Sequence, residues 1–120
     1  MSLPTPRRGE IWLIDFNPGR GSEQTGRRLA LIIQNDAGNQ SRRYPNTVVL
    51  AMTKRGKPIP FHVRIEPAEH NGLEATSWVK CEQILTLSKS RLLQSRPIGR
   101  VTPEQLSQIE IGLKRSLQLL

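Results

Sequence analysis

Cysteine is nearly absent: Cys81 stands alone among 120 residues. A disulfide within the chain and a cysteine-rich metal site are both excluded, which fits a reducing compartment. Aromatic rings are scarce as well, with Trp12, Phe16, Tyr44, Phe61 and Trp78 the full set. The core must therefore come from 15 Leu, 10 Ile and 5 Val, and few flat surfaces remain on which a base could stack. No apolar run is long enough to span a bilayer. The first nine residues carry two prolines and two arginines without an apolar stretch. Neither a secretory signal nor a membrane segment is expected, and the expected location is the cytoplasm. No repeat, linker or low-complexity segment interrupts the chain. It reads as a flexible arm over residues 1–7, where Pro4 and Pro6 remove backbone donors, and a single domain over residues 8–120.

Acidic side chains are few, with 10 against 18 Lys and Arg, which leaves a net charge of +8 and a pI near 10.8. Thirteen of the cations are arginines. A guanidinium grips phosphate or carboxylate with two donors, so nucleic acid is the first partner to consider and an acidic protein the second. The same charge also serves solubility alone.

The apolar pattern is mostly that of strands. Residues 10–16 (Glu-Ile-Trp-Leu-Ile-Asp-Phe) put Trp12, Ile14 and Phe16 on one face and Ile11 and Leu13 on the other, implying burial on both sides. Residues 29–34 suit a central strand, and Asn35-Asp36 can cap a short helical turn through Gln40. A third strand is expected over 47–53, followed by the basic turn Lys54-Arg55-Gly56-Lys57-Pro58. Residues 61–66 alternate, with Phe61, Val63 and Ile65 facing inward and His62, Arg64 and Glu66 outward. One or two further strands fall within 77–87. The clearest element is a C-terminal helix. Thr102 is its N-cap, Pro103 its first residue and Gln105 the far half of a capping box. Leu106, Ile109, Leu113, Leu117 and Leu120 form its apolar stripe, which suits a lid on a sheet or barrel.

Between the first two strands lies Gly21-Ser22-Glu23-Gln24-Thr25-Gly26-Arg27-Arg28. A simple connection needs only turn residues, whereas this one holds hydroxyls, a carboxylate, an amide and two guanidinium groups. It reads as a site supported by the sheet beneath it.

The run Arg8-Gly9-Glu10-Ile11-Trp12-Leu13-Ile14-Asp15-Phe16-Asn17-Pro18, followed by that loop, resembles the signature of the MazF/PemK-type toxins of bacterial toxin–antitoxin systems. Leu31-Ile32-Ile33-Gln34-Asn35-Asp36, Met52-Thr53, Cys81-Glu82-Gln83-Ile84 and Thr102-Pro103-Glu104-Gln105-Leu106 resemble later segments of the family in the same order. Leu29 departs from the pattern, since Pro often follows the second arginine and would stiffen entry into the strand. The resemblance implies a mainly β, SH3-like barrel with a C-terminal α-helix, and a homodimer. It also implies sequence-specific cleavage of single-stranded RNA without a metal or other cofactor. The implied partner is a cognate acidic antitoxin, MazE-like, whose segment blocks the RNA groove. By resemblance Arg28 and Thr53 are the catalytic pair.

In metal-free cleavage the ribose 2′-hydroxyl attacks the adjacent phosphorus, leaving a 2′,3′-cyclic phosphate and a 5′-hydroxyl. Arg28 suits the developing charge on the phosphorane, and the Thr53 hydroxyl suits a phosphate oxygen. A guanidinium is a poor base. Glu23 is the nearest carboxylate and can take a proton, orient Arg28 or contact RNA, the last two being favoured. His62 titrates in the useful range but reads as a solvated strand residue, as His70 does in its loop. Ser22, Gln24, Arg27 and Gln83 are candidates for RNA contacts, with Lys54, Arg55 and Lys57 tracking the backbone. Cys81 reads as a buried thiol rather than a nucleophile. Two other functions stay open: a CcdB-like toxin that poisons gyrase, and an RNA-binding module without activity.

Overall fold

The computed structural model describes residues 3–17 and 26–120. Among the described residues six strands form one antiparallel sheet: β1 (Glu10–Asp15), β2 (Arg27–Ile32), β3 (Asn46–Thr53), β4 (His62–Ile65), β5 (Ser77–Ser88) and β6 (Gly99–Arg100). Their spatial order is β4-β5-β3-β2-β1-β6, curled into a half-barrel. A five-residue helix α1 (Asp36–Gln40) follows β2, and α2 (Pro103–Ser116) closes the chain.

The two-sided pattern of the first strand becomes two cores. Ile11, Leu31, Leu50, Met52, Ile65, Val79, Cys81 and Ile109 pack on the face that carries α2. On the other face Trp12, Ile14, Phe16, Ala30, Ile32 and Val49 pack with Leu92. The stretch 77–87 is a single strand, and a register shift within it explains its odd pattern. Met52 pairs with Val79 whereas Leu50 pairs with Ile84. The shift amounts to an odd number of residues, so the side chains change face at the irregularity. Val79 and Cys81 accordingly enter the first core, and Leu85 and Leu87 pack against the second.

Helix α2 starts as the sequence implies. The Thr102 hydroxyl accepts the Gln105 N–H at 3.1 Å, and the Gln105 side chain accepts the Thr102 N–H at 2.9 Å. Leu106, Ile109 and Leu113 meet the sheet, but the expected stripe ends there. Leu117 is the C-cap, Gln118 turns into the left-handed region at φ 57°, and Leu117 and Leu120 are exposed. The apolar period continued in the sequence after the backbone had ceased to be helical.

Residues 6 and 7 lie against the sheet rather than away from it: Pro6 is buried and the Arg7 N–H donates to Glu10 Oε1 at 2.7 Å. Beneath α1 a polar cluster replaces apolar packing. Asn39, 1% exposed, donates to the Gln34 carbonyl and accepts from Thr47 Oγ1. Lys89 is buried with its ammonium on three carbonyls, those of Gly38, Ser41 and Tyr44, at 2.7–3.0 Å. Burial pulls this lysine below its ordinary range, while the three acceptors satisfy the charged form. No helix among the described residues is long and apolar enough to cross a membrane.

Candidate nucleic-acid site

A cleft of about 820 Å³ opens where β2 and β3 meet the basic turn. Arg27, Arg28, Thr53, Lys54 and Arg55 line one side, with Leu13, Leu29 and Met52 beside them. The opposite wall runs through Gly72, Leu73, Glu74 and Ala75 and includes Ser77 and Ile98. The four cations are exposed, and Glu74 is the single carboxylate among the lining residues. The local field is thus positive and favours an anion.

Arg27 and Arg28 belong to the strand itself, which begins two residues before the expected start at Leu29. Arg27 pairs with Asp15 and Arg28 with Ile14, so their side chains leave opposite faces of the ladder. Ala30 pairs with Ala51 at the end of the β2–β3 ladder. Thr53 in turn pairs with Trp78. Arg28 and Thr53, 25 positions apart in the chain, both line the cleft beyond that end of the ladder. The Thr53 hydroxyl oxygen accepts the Arg55 N–H at 3.1 Å, which fixes the oxygen and leaves its hydrogen to donate. Leu29, where proline is frequent in the family pattern, pairs with Leu13 inside the ladder and packs against the first core. The strand itself holds this residue extended.

Ser22, Glu23 and Gln24 lie outside the described residues. The stem of their loop is built by Asn17, whose Oδ1 accepts the Gly26 N–H at 2.9 Å. Phe16 N–H donates to the Gly26 carbonyl at 2.9 Å, and Arg91 donates to the Asn17 carbonyl. Lys57, His62 and Gln83 are not among the residues that line the cleft. His62 also differs from its expected solvated state. Its side chain is only 5% exposed, because the basic turn and Glu82 close over the ring. His70 is exposed, as expected.

Sequence reasoning missed the second wall of the cleft, the Arg91 clamp and Glu82 as the partner of His62. No local pattern signals any of them, since each depends on elements brought together by the sheet.

Cys81 is fully buried and Sγ points at the Ile109 carbonyl of α2, 3.6 Å away. Burial pushes its thiol from 9.0 up to about 11, with the adjacent Glu82 carboxylate adding to the effect. The native protein is expected to resist maleimide at neutral pH and to react after unfolding in guanidinium. Rapid labelling of the folded chain would refute the buried assignment. Because the folded value lies above the unfolded one, the thiol's stabilising contribution is complete below pH 9.0. It is lost as pH rises toward about 11.

The family model for PemK-like, MazF-like toxins of type II toxin–antitoxin systems matches residues 7–117. The chain belongs to this family. Among family relatives, Endoribonuclease MazF9 of Mycobacterium tuberculosis is 39% identical over 117 residues, covering 94% of this chain and 97% of that protein. A mycobacterial endoribonuclease solved in complex with its cognate antitoxin is 28% identical and superposes with a TM-score of 0.75, covering 96% of this chain and 97% of that one. MazF from Deinococcus radiodurans gives a TM-score of 0.77 at 26% identity, over 95% of this chain and 97% of that one. The family fold expected from the sequence, mainly β with a C-terminal helix, is the fold observed.

Proposed function

We propose that this MazF/PemK-family chain is an endoribonuclease that cleaves single-stranded RNA at a preferred sequence, with mRNA as its physiological target. The observation that carries the reading is the cleft that Arg28 and Thr53 line together with Arg27, Lys54 and Arg55. The curated relative's name, Endoribonuclease MazF9, supports the same reading over a gyrase poison.

The 2′-oxygen attacks phosphorus, the bond to the 5′-oxygen breaks, and a 2′,3′-cyclic phosphate and a 5′-hydroxyl result. The 2′-hydroxyl proton leaves to a base and the departing 5′-oxygen gains one. Arg28 places two donors on the non-bridging oxygens as charge gathers in the phosphorane, and Thr53 donates to one of them. Arg27, Lys54 and Arg55 hold flanking phosphates. Glu23 orients Arg28 or contacts RNA, with Ser22, Gln24 and Gln83 as further contacts. Lys57 tracks the backbone outside the cleft.

The proposed partners are an acidic cognate antitoxin and a second copy of the chain, acting in the cytoplasm. The net charge of +8 suits an acidic inhibitor, and a structural neighbour was solved with its cognate antitoxin.

The test is incubation of the purified protein with a long labelled single-stranded RNA in excess EDTA, followed by analysis of product ends. Discrete fragments ending in cyclic phosphate are expected. Intact RNA across varied sequences, with the protein folded, would remove the nuclease reading.

A further inference from the structure

His62 has no place in the cleft, yet both of its ring nitrogens are engaged. The Lys57 N–H donates to Nδ1 at 3.2 Å, so Nδ1 is the unprotonated nitrogen. The proton then sits on Nε2 and is donated to the Glu82 carboxylate, whose oxygens lie at 2.9 and 3.0 Å. A carboxylate orienting an imidazole is the arrangement that in catalytic sites aims a ring nitrogen at a nucleophile. Here the ring is aimed at a backbone amide of the basic turn.

That amide is one end of a short bracket. At the other end Thr53 Oγ1 accepts the Arg55 N–H. Between them Gly56 lies so close to Trp78 that a Cβ would fall 1.9 Å from the indole Cγ. The turn is therefore pressed onto β5 at Gly56 and tied at Arg55 and Lys57. Lys54 and Arg55, both lining the cleft, are carried by the segment so held. The edge of the Phe61 ring packs against His62, with centroids 5.6 Å apart.

We infer that His62, oriented by Glu82, is a positioning residue that holds the basic turn Lys54–Lys57 in place to grip the RNA backbone. This rests on the nuclease reading proposed above. A phosphate grip made alike in the ground and transition states appears in KM rather than in kcat, so the loss of the His62 tether raises KM.

Two substitutions separate the halves of the ring. Asn places an oxygen where Nδ1 stands and keeps an acceptor for Lys57, whereas Gln places its amide nitrogen near Nε2 and keeps only the Glu82 contact. His62→Gln is expected to raise KM for a short RNA about 3- to 10-fold, the scale of one lost hydrogen bond, with kcat within about twofold. His62→Asn stays near wild type. Lys57 amide exchange, followed by NMR, is slow in wild type and His62→Asn and fast in His62→Gln. Equal behaviour of the two variants, or an unchanged KM in an active His62→Gln protein, overturns the role. Should His62→Gln not fold, fast exchange of the Lys57 amide in the wild-type protein overturns it. An inert wild-type protein removes the nuclease reading and this role with it, which the unmodified chain alone reveals.

Discussion

Replacing Arg28 with alanine is expected to lower RNA cleavage at least about a hundredfold, the scale seen when a donor aimed at developing charge is removed. Arg28 is exposed on β2, and alanine is accommodated in a strand, so thermal stability changes little. The loss falls in kcat, because two donors on the non-bridging oxygens matter most when negative charge gathers there. Lysine at the same position keeps a point charge without the two-pronged fit and recovers only part of the rate. Thr53→Val removes the hydroxyl at constant shape and is expected to cost a comparable factor, while Thr53→Ser retains most activity. Arg27→Ala provides the contrast: it holds a flanking phosphate rather than the reacting one, and the effect falls on KM and on the salt dependence of binding. Measuring single-turnover rates with circular dichroism alongside decides the matter. Cleavage by Arg28→Ala within tenfold of wild type would remove Arg28 from the chemistry.

Much of this arrangement was legible in the sequence where a local rule governs. The capping box at Thr102, the Asn35 cap of α1 and the two-sided strand 10–16 each depend on neighbours a few residues away, and each stands in the structure as read. The sharing of one cleft by Arg28 and Thr53 entered only through the resemblance, since it depends on how distant parts of the chain come together. Lys89 and His62 were misread or missed for one reason. Both are polar residues that a periodicity argument assigns to solvent, and both are covered because distant carbonyls or a carboxylate satisfy them. A bulge in β5 likewise changes the face of every residue beyond it, and no alternation pattern announces an odd insertion.

Asn71 ties together the loop that forms the wall opposite the cations, and Asn71→Ala is expected to be the most damaging substitution to stability outside the apolar core. Asn71 is fully buried. Its Oδ1 accepts the N–H groups of Ala68 and Leu73, both at 3.0 Å, and its Nδ2 donates to the Glu66 carbonyl at 2.8 Å. Truncation would leave three backbone groups without partners at least partly shielded from water, at a cost of about 2–4 kcal/mol. For a chain of this length that lowers Tm by about 10 °C or more. Gly99 explains why the wall cannot relax. A Cβ there would lie 2.3–2.6 Å from the carbonyl carbon, oxygen and Cα of Asn71, all backbone atoms with no rotamer to yield. Gly99→Ala must therefore displace either the loop or β6, and its damage falls on the contact that Asn71→Ala has already loosened. The double variant is expected to be less destabilised than the sum of the two by at least about 0.5 kcal/mol, as coupled neighbours are. Strict additivity in urea denaturation would show that Asn71 and Gly99 act separately. If Asn71→Ala instead melts within 3 °C of wild type, water must replace the lost partners and the wall must owe its shape to something other than this side chain.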